Sequence, residues 1–227
     1  MVSNAFEDQR FADNPMVVNA PYIRFYAGCP LRDLNGHKLG TLCIIDQKPR
    51  VFEQEDIESL QDLASMVERE LAAIQLATMD ELTHISNRSG FMMLAQHSLN
   101  FCARQNVSAS LIFLDLDKFK LINDNFGHAE GDRALVAFAG LLKSAHRDTD
   151  LFARIGGDEF VSLLANTSRQ LAGNIVEKFS QSLAEYNQKS KRGYDIEFSH
   201  GVIEFKPEQH LSIENLMVDG DIADVRS

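Results

Sequence analysis

Two short acidic stretches stand out because of what surrounds them. Leu111-Ile112-Phe113-Leu114 is an unbroken apolar run that ends in Asp115-Leu116-Asp117. Such a run is the pattern of a central strand covered on both faces. Further on, residues 152–164 read FARIGGDEFVSLL, where Gly156-Gly157 and Asp158-Glu159 interrupt an otherwise apolar stretch. A carboxylate at the end of a buried strand either starts the next turn or holds something. In a two-residue turn the glycines would supply positive φ, and their missing side chains would leave room for a ligand to approach the backbone. If this hairpin lies beside the Asp115 strand, Asp115, Asp158 and Glu159 converge. Such a trio repels itself and raises its own pKa values unless a cation is present. Carboxylate oxygens suit Mg²⁺, or Mn²⁺ in its place, which takes few protein ligands and shares a substrate's phosphates. Two such ions clamping attacking and leaving oxygens are a common arrangement for nucleotidyl transfer.

The remaining sequence must position these groups. It has 227 residues, 44% of them apolar, enough for one large or two small domains with a sizeable core. A net charge of −11 argues against non-specific nucleic-acid binding, and an anionic ligand would need a basic or metal-lined pocket. Cys29, Cys43 and Cys102 are odd in number and far apart. They read as reduced thiols of a cytoplasmic protein, not as a disulfide framework or zinc site. Ala134–Leu142 is the longest apolar run, far short of the roughly 18 residues of a membrane span. The acidic N-terminus carries no signal pattern, so no membrane partner is expected within this chain.

YIRFYAGCPL and KLGTLCIID read as strands, and Asn35-Gly36 between them suggests a tight hairpin whose two positions tolerate positive φ. A helix follows, with Glu53, Glu55 and Asp56 crowding its first turn. Its apolar residues Ile57, Leu60, Ala64, Val67, Leu71 and Ile74 recur at spacings of 3, 4, 3, 4 and 3. That is either an amphipathic face packed on its own domain or a parallel dimer seam. Beyond it the pattern reads α-β-α-α-β-β-α-β-α, an α+β sheet with helices on one or both faces.

Several segments carry a family resemblance. RIGGDEF, DELTHISNRSGF (80–91), LDLDKFKLINDNFGHAEGD (114–132) and FSHGV (198–202) occur in an order that resembles the GGDEF family of diguanylate cyclases, from Met79 to about Gly220. The resemblance implies a nucleotidyl-cyclase, palm-like α+β fold with a central, mostly antiparallel sheet flanked by helices. It also implies synthesis of cyclic di-GMP from two GTP molecules. Asp115, the carbonyl of Leu116 and Asp158 would hold Mg²⁺ with Glu159 beside them, and Asp158 and Glu159 would be the catalytic carboxylates, Asp158 helping to deprotonate the ribose 3′-hydroxyl. Lys118, Phe119 and Lys120 would meet the phosphates, partly through backbone N–H groups at a helix start. Asn123 and Asp132 would read guanine, with His128 nearby. Guanine offers N1–H and N2–H donors to a carboxylate, whereas adenine N1 would face Asp132 lone pair to lone pair, a mismatch of about 1–3 kcal/mol. Asn123 and Asp132 could otherwise serve as helix caps.

Arg147-Asp148-Thr149-Asp150 matches the family's RxxD product-inhibition motif. Read without the family, it is a basic residue at a helix end followed by a turn acid. A site that binds one GTP must face a second copy to close a two-GTP ring, so a homodimer is implied. The stretch before the long helix, with the helix itself, resembles the C-terminal half of a GAF domain. The expected division is a partial GAF-like sensory domain at 1–76 and a GGDEF domain at 77–227. Cys29 in the first is more simply a small buried thiol than a chromophore anchor. At the end of the chain, Asp224 and Val225 stand where the family has an apolar residue and a Tyr, and Ser227 precedes the expected Lys. The GGDEF segment therefore reads as truncated or diverged at its end, with weaker phosphate contacts. Two functions compete: a Mg²⁺-dependent cyclase, and an impaired relative that binds GTP or cyclic di-GMP as a receptor.

Overall fold

The computed structural model describes the backbone of residues 1–224 and the side chains of residues 1–220. It divides into two compact units, Met1–Gln75 and Leu76–Ser227. In the first, a helical turn α1 (Pro15–Val18) is capped by Asn14, whose side chain accepts from Met16 N at 2.9 Å. Strands β1 (Phe25–Arg32) and β2 (Lys38–Asp46) pair antiparallel. Their connection is not the tight Asn-Gly turn. It is a longer loop in which the Asp33 carboxylate accepts from the backbones of Asn35 (2.9 Å) and His37 (2.7 Å), and Gly36 alone of the Asn-Gly pair takes positive φ, +83°. An acid that ties two backbone N–H groups can hold a longer loop closed.

Helix α2 (Gln54–Thr78) buries Leu60 and Ala64, and Leu60 clusters with Phe25 and Ala27 of β1. Farther along the same seam Leu71 is 37% and Ile74 47% exposed. The seam thus divides: its first half packs on its own domain and its second half lies at the surface.

The second unit runs β3 (Ser86–Asn87), α3 (Arg88–Gln105), β4 (Ala109–Leu116), α4 (Phe119–Phe126), α5 (His128–Ala145), β5 (Leu151–Arg154), β6 (Glu159–Ala165), α6 (Arg169–Ser190), β7 (Phe198–Glu204) and α7 (Ile213–Asp224). The sheet order is β3-β5-β6-β4-β7, antiparallel throughout except β3 beside β5. Strand β4 is paired on both sides, which accounts for its unbroken apolar run. Side chains alternate across a strand. Ile112, Leu114 and Leu116 therefore enter one core with Leu135, Phe138 and Phe179, while Leu111 and Phe113 enter a second with Phe91, Leu99 and Leu216. Each fully buried Leu or Phe contributes about 1.5–3 kcal/mol to this sandwich. Among the described residues no helix is long and apolar enough to cross a membrane.

Candidate active site

Alternation along β4 places Asp115 on the face of Leu111 and Phe113, and the Cα register sets it directly opposite Glu159 of β6. Glu159 shares that face with Val161 and Leu163. Both acids line a cavity of about 300 Å³ that also takes in Arg88 from the start of α3 and Glu214 and Met217 from α7. The neighbouring Asp158 is held by its backbone, its carbonyl accepting from Leu116 N at 3.2 Å. Among the described residues no three His, Cys, Asp or Glu side chains gather at one point. Of the expected trio, strand pairing brings Asp115 and Glu159 to face one another, and Asp158 lies in the adjoining loop.

The donor chemistry still fits Mg²⁺. Hard carboxylate oxygens come from two paired strands, few in number, beside a cavity that the Arg88 cation also lines.

The glycine expectation also needs correction. Neither Gly156 nor Gly157 has positive φ. Ile155 N and Gly156 N both donate to Glu159 O, at 2.9 and 3.4 Å, so residues 155–158 form a wider loop than a two-residue turn. Gly156 leaves room for the Glu159 carboxylate, since a Cβ there would lie 2.2 Å from its Oε2 and the side chain would have to move.

Two residues the sequence reading passed over hold this loop. Arg154 donates from Nε and Nη2 to Gly157 O, at 3.1 and 2.8 Å, and its Nη1 pairs with Asp80 Oδ1 at 3.2 Å. Burial pushes the Asp80 carboxyl up, but hydrogen bonds from Thr83 N and Oγ1 and the Arg154 guanidinium outweigh it, and the net direction is down. The signal available in the sequence was an arginine ending an otherwise apolar strand, which requires a partner.

Lys118 takes the left-handed conformation (φ 56°) at the start of α4, where no side chain caps the helix. Its Nζ lies 3.7 Å from Glu197, both largely exposed. Phe119 packs against the core and Lys120 is exposed. Half-buried Asn123 lies over Gly131, where a Cβ would fall 2.1 Å from its Oδ1. His128 opens α5 after Gly127 (φ +86°) and is exposed. Asp132 borders an open groove of about 420 Å³ with Arg133, Tyr186 and Arg192.

The RxxD segment divides in role. Arg147 is exposed, but Asp150 is buried and accepts from Arg147 N at 3.0 Å, closing its own turn. Beside it, burial pushes the His146 imidazole down, while its Nδ1 lies 2.7 Å from Leu142 O.

The family model described as "Diguanylate cyclase, GGDEF domain" matches residues 77–225, and the GAF domain model matches residues 1–71. Diguanylate cyclase A of Treponema denticola is 31% identical over 170 residues, covering 67% of this chain and 46% of that protein. A diguanylate cyclase of Vibrio cholerae is 36% identical over 125 residues, covering 55% of this chain and 39% of that protein. The probable diguanylate cyclase DgcE of Escherichia coli is 32% identical over 199 residues, covering 87% of this chain and 17% of that protein. The chain thus spans less than half the length of each of these relatives.

Among solved structures, the active GGEEF domain of a Vibrio cholerae diguanylate cyclase superposes with a TM-score of 0.55 at 31% identity, covering 62% of this chain and 88% of that one. The coiled coil and GGDEF domain of DgcB from Caulobacter crescentus, in complex with c-di-GMP, gives 0.66 at 23% identity over 74% and 90% of the two chains. The chain belongs to the diguanylate cyclase GGDEF domain family.

Proposed function

We propose that this chain condenses two GTP molecules into cyclic di-GMP with release of pyrophosphate. The observation that carries the reading is the register of Asp115 against Glu159 beside the cavity. We assign residues 77–227 to this work and residues 1–76 to a partial GAF-like sensory domain. Asp115, the carbonyl of Leu116, Asp158 and Glu159 would hold Mg²⁺ or Mn²⁺, which when bound neutralises phosphate charge and acidifies the ribose 3′-hydroxyl.

This chain's own residues hold the nucleotide and move the proton. Lys118, Phe119 and Lys120 bind the β- and γ-phosphates at the uncapped start of α4. Asn123 and Asp132 bind guanine, with His128 beside them. Asp158 helps take the proton of the 3′-hydroxyl. The 3′-oxygen of one GTP then bonds to the α-phosphorus of the other, and the bond to pyrophosphate breaks. The same event in the opposite sense closes the ring. One chain binds one GTP, so two copies face each other. Holding two nucleotides in line is most of the catalysis, because phosphoryl chemistry asks little covalent help of the protein.

Incubation with GTP and Mg²⁺ tests this. Cyclic di-GMP should accumulate, and Asp158→Ala should abolish turnover with the fold intact. Survival of turnover in that variant would overturn the metal assignment. Tight binding of cyclic di-GMP with no product would favour the receptor reading, to which Asp150's place in its own turn leaves Arg147 as the exposed arm.

A further inference from the structure

The segment joining α6 to β7 touches the nucleotide-binding stretch at both ends. At the phosphate end Asp117 N donates to Glu197 O at 2.9 Å, and Ser199 Oγ donates to Asp117 Oδ1 at 2.7 Å. At the guanine end the Arg192 guanidinium donates to Glu130 Oε1 at 2.5 Å, and Tyr194 OH donates to the same oxygen at 3.1 Å. The Tyr194 ring also packs on Phe126, with centroids 5.0 Å apart. Asn187 of α6 fixes the end of the segment next to Glu197, accepting from Ile196 N at 3.0 Å and donating to Ile196 O at 2.9 Å. The contacts on Glu130 are half-sheltered: its side chain is 15% exposed and that of Arg192 34%. Glu130 sits in the first turn of α5, directly before Gly131, over which Asn123 lies, and two residues before Asp132.

We propose that Glu130, held by Arg192 and Tyr194, is a positioning and specificity-determining residue for the nucleotide base. The inference rests on the guanine reading above and deepens it. A base edge is discriminated only when its donors and acceptors meet groups at fixed separation, because a mispaired buried group is what costs affinity. Asn123 and Asp132 come from two helices joined at Gly127, an elbow with positive φ and no side-chain cap. Left alone, that elbow could open and the separation would vary. The charge-assisted bonds on Glu130 tie the first turn of α5 to a segment anchored in the sheet. This settles the separation before the base arrives.

The test uses the full chain with Mg²⁺ and non-hydrolysable analogues of GTP and ITP, titrated by calorimetry. Inosine lacks the 2-amino group, so the ratio of the two affinities reports amino recognition. A general loss of stability or of phosphate grip moves both affinities alike. The wild type should prefer the GTP analogue. Glu130→Ala should lower that preference by about tenfold, the factor one net hydrogen bond represents. Glu130→Gln, which keeps the shape and an acceptor oxygen, should fall between. Should Glu130→Ala fail to fold, Arg192→Met carries the comparison. An unchanged ratio in a folded Glu130→Ala, or in Arg192→Met, overturns the proposal. A wild type that binds both analogues equally overturns the guanine reading itself, and this proposal with it.

Discussion

At the scale of single residues, three acidic groups do three different kinds of work. Asp115 and Glu159 face one another at a cavity, Asp80 is neutralised by Arg154, and Glu130 is shared by two arginines and a tyrosine. Hydrogen bonds from Arg192 and then Arg133 hold the Glu130 carboxyl well below its usual range, at about 2, while burial and the Glu130 carboxylate push the Tyr194 phenol up to about 12. A carboxyl whose folded pKa is depressed stabilises the fold above its unfolded pKa and loses that contribution as pH falls through the folded one. For Glu130 that window runs from about 4.5 down to about 2. The denaturant midpoint of the wild type should fall across it, and Glu130→Gln should flatten the fall. A parallel pH profile in the variant would contradict the assignment. Arg154 is only 14% exposed, and replacing it strands a half-buried Asp80 and a loop carbonyl. Arg154→Met should therefore cost about 2–3 kcal/mol in chemical denaturation.

At the scale of elements, one asparagine joins two helix ends. Asn87 Oδ1 accepts from Gly90 N at 3.0 Å and caps α3, while its Nδ2 donates to the carbonyls of Ala77 and Met79 at 2.9 and 3.1 Å. Asn87→Ala should cost about 1–2 kcal/mol, read as a lower melting temperature. Gly131→Ala separates site from scaffold differently. The new methyl meets the end of the Asn123 side chain, with Oδ1 at 2.1 Å, and presses on the Phe119 ring at 3.3 Å, so stability should change modestly, while binding of a GTP analogue should weaken; unchanged binding would remove Asn123 from the site.

The element types and their order were legible because periodicity reports burial: β4 is apolar throughout because it is paired on both sides. Strand β3 was not legible, since two residues carry no period. The conformation of Gly156-Gly157 was misread because a glycine pair permits positive φ without requiring it, and here Glu159 needs the space instead. The Asp80–Arg154 and Glu130–Arg192 pairs span 74 and 62 residues. Opposite charges that far apart could be matched in many ways, and only the fold selects among them.

At the scale of the whole molecule, the reaction proposed here needs two copies, since among the described residues one facing pair of acids borders the cavity and would serve one GTP. Specific activity should therefore rise with protein concentration before levelling, and a rate strictly proportional to concentration at every dilution would argue for a single-chain reaction. Exposed Arg147 should mediate product inhibition, so Arg147→Ala should lengthen the linear part of the progress curve.

The central claim is that Asp115 and Glu159, brought together by strand pairing, hold magnesium with a guanosine triphosphate. Calorimetric titration of a non-hydrolysable GTP analogue, with and without Mg²⁺, tests it most directly in the wild type, Asp115→Asn and Glu159→Gln. Binding should depend on magnesium in the wild type and weaken at least about tenfold in both variants at unchanged melting temperature. Magnesium-dependent binding that survives intact in folded Asp115→Asn would contradict the account.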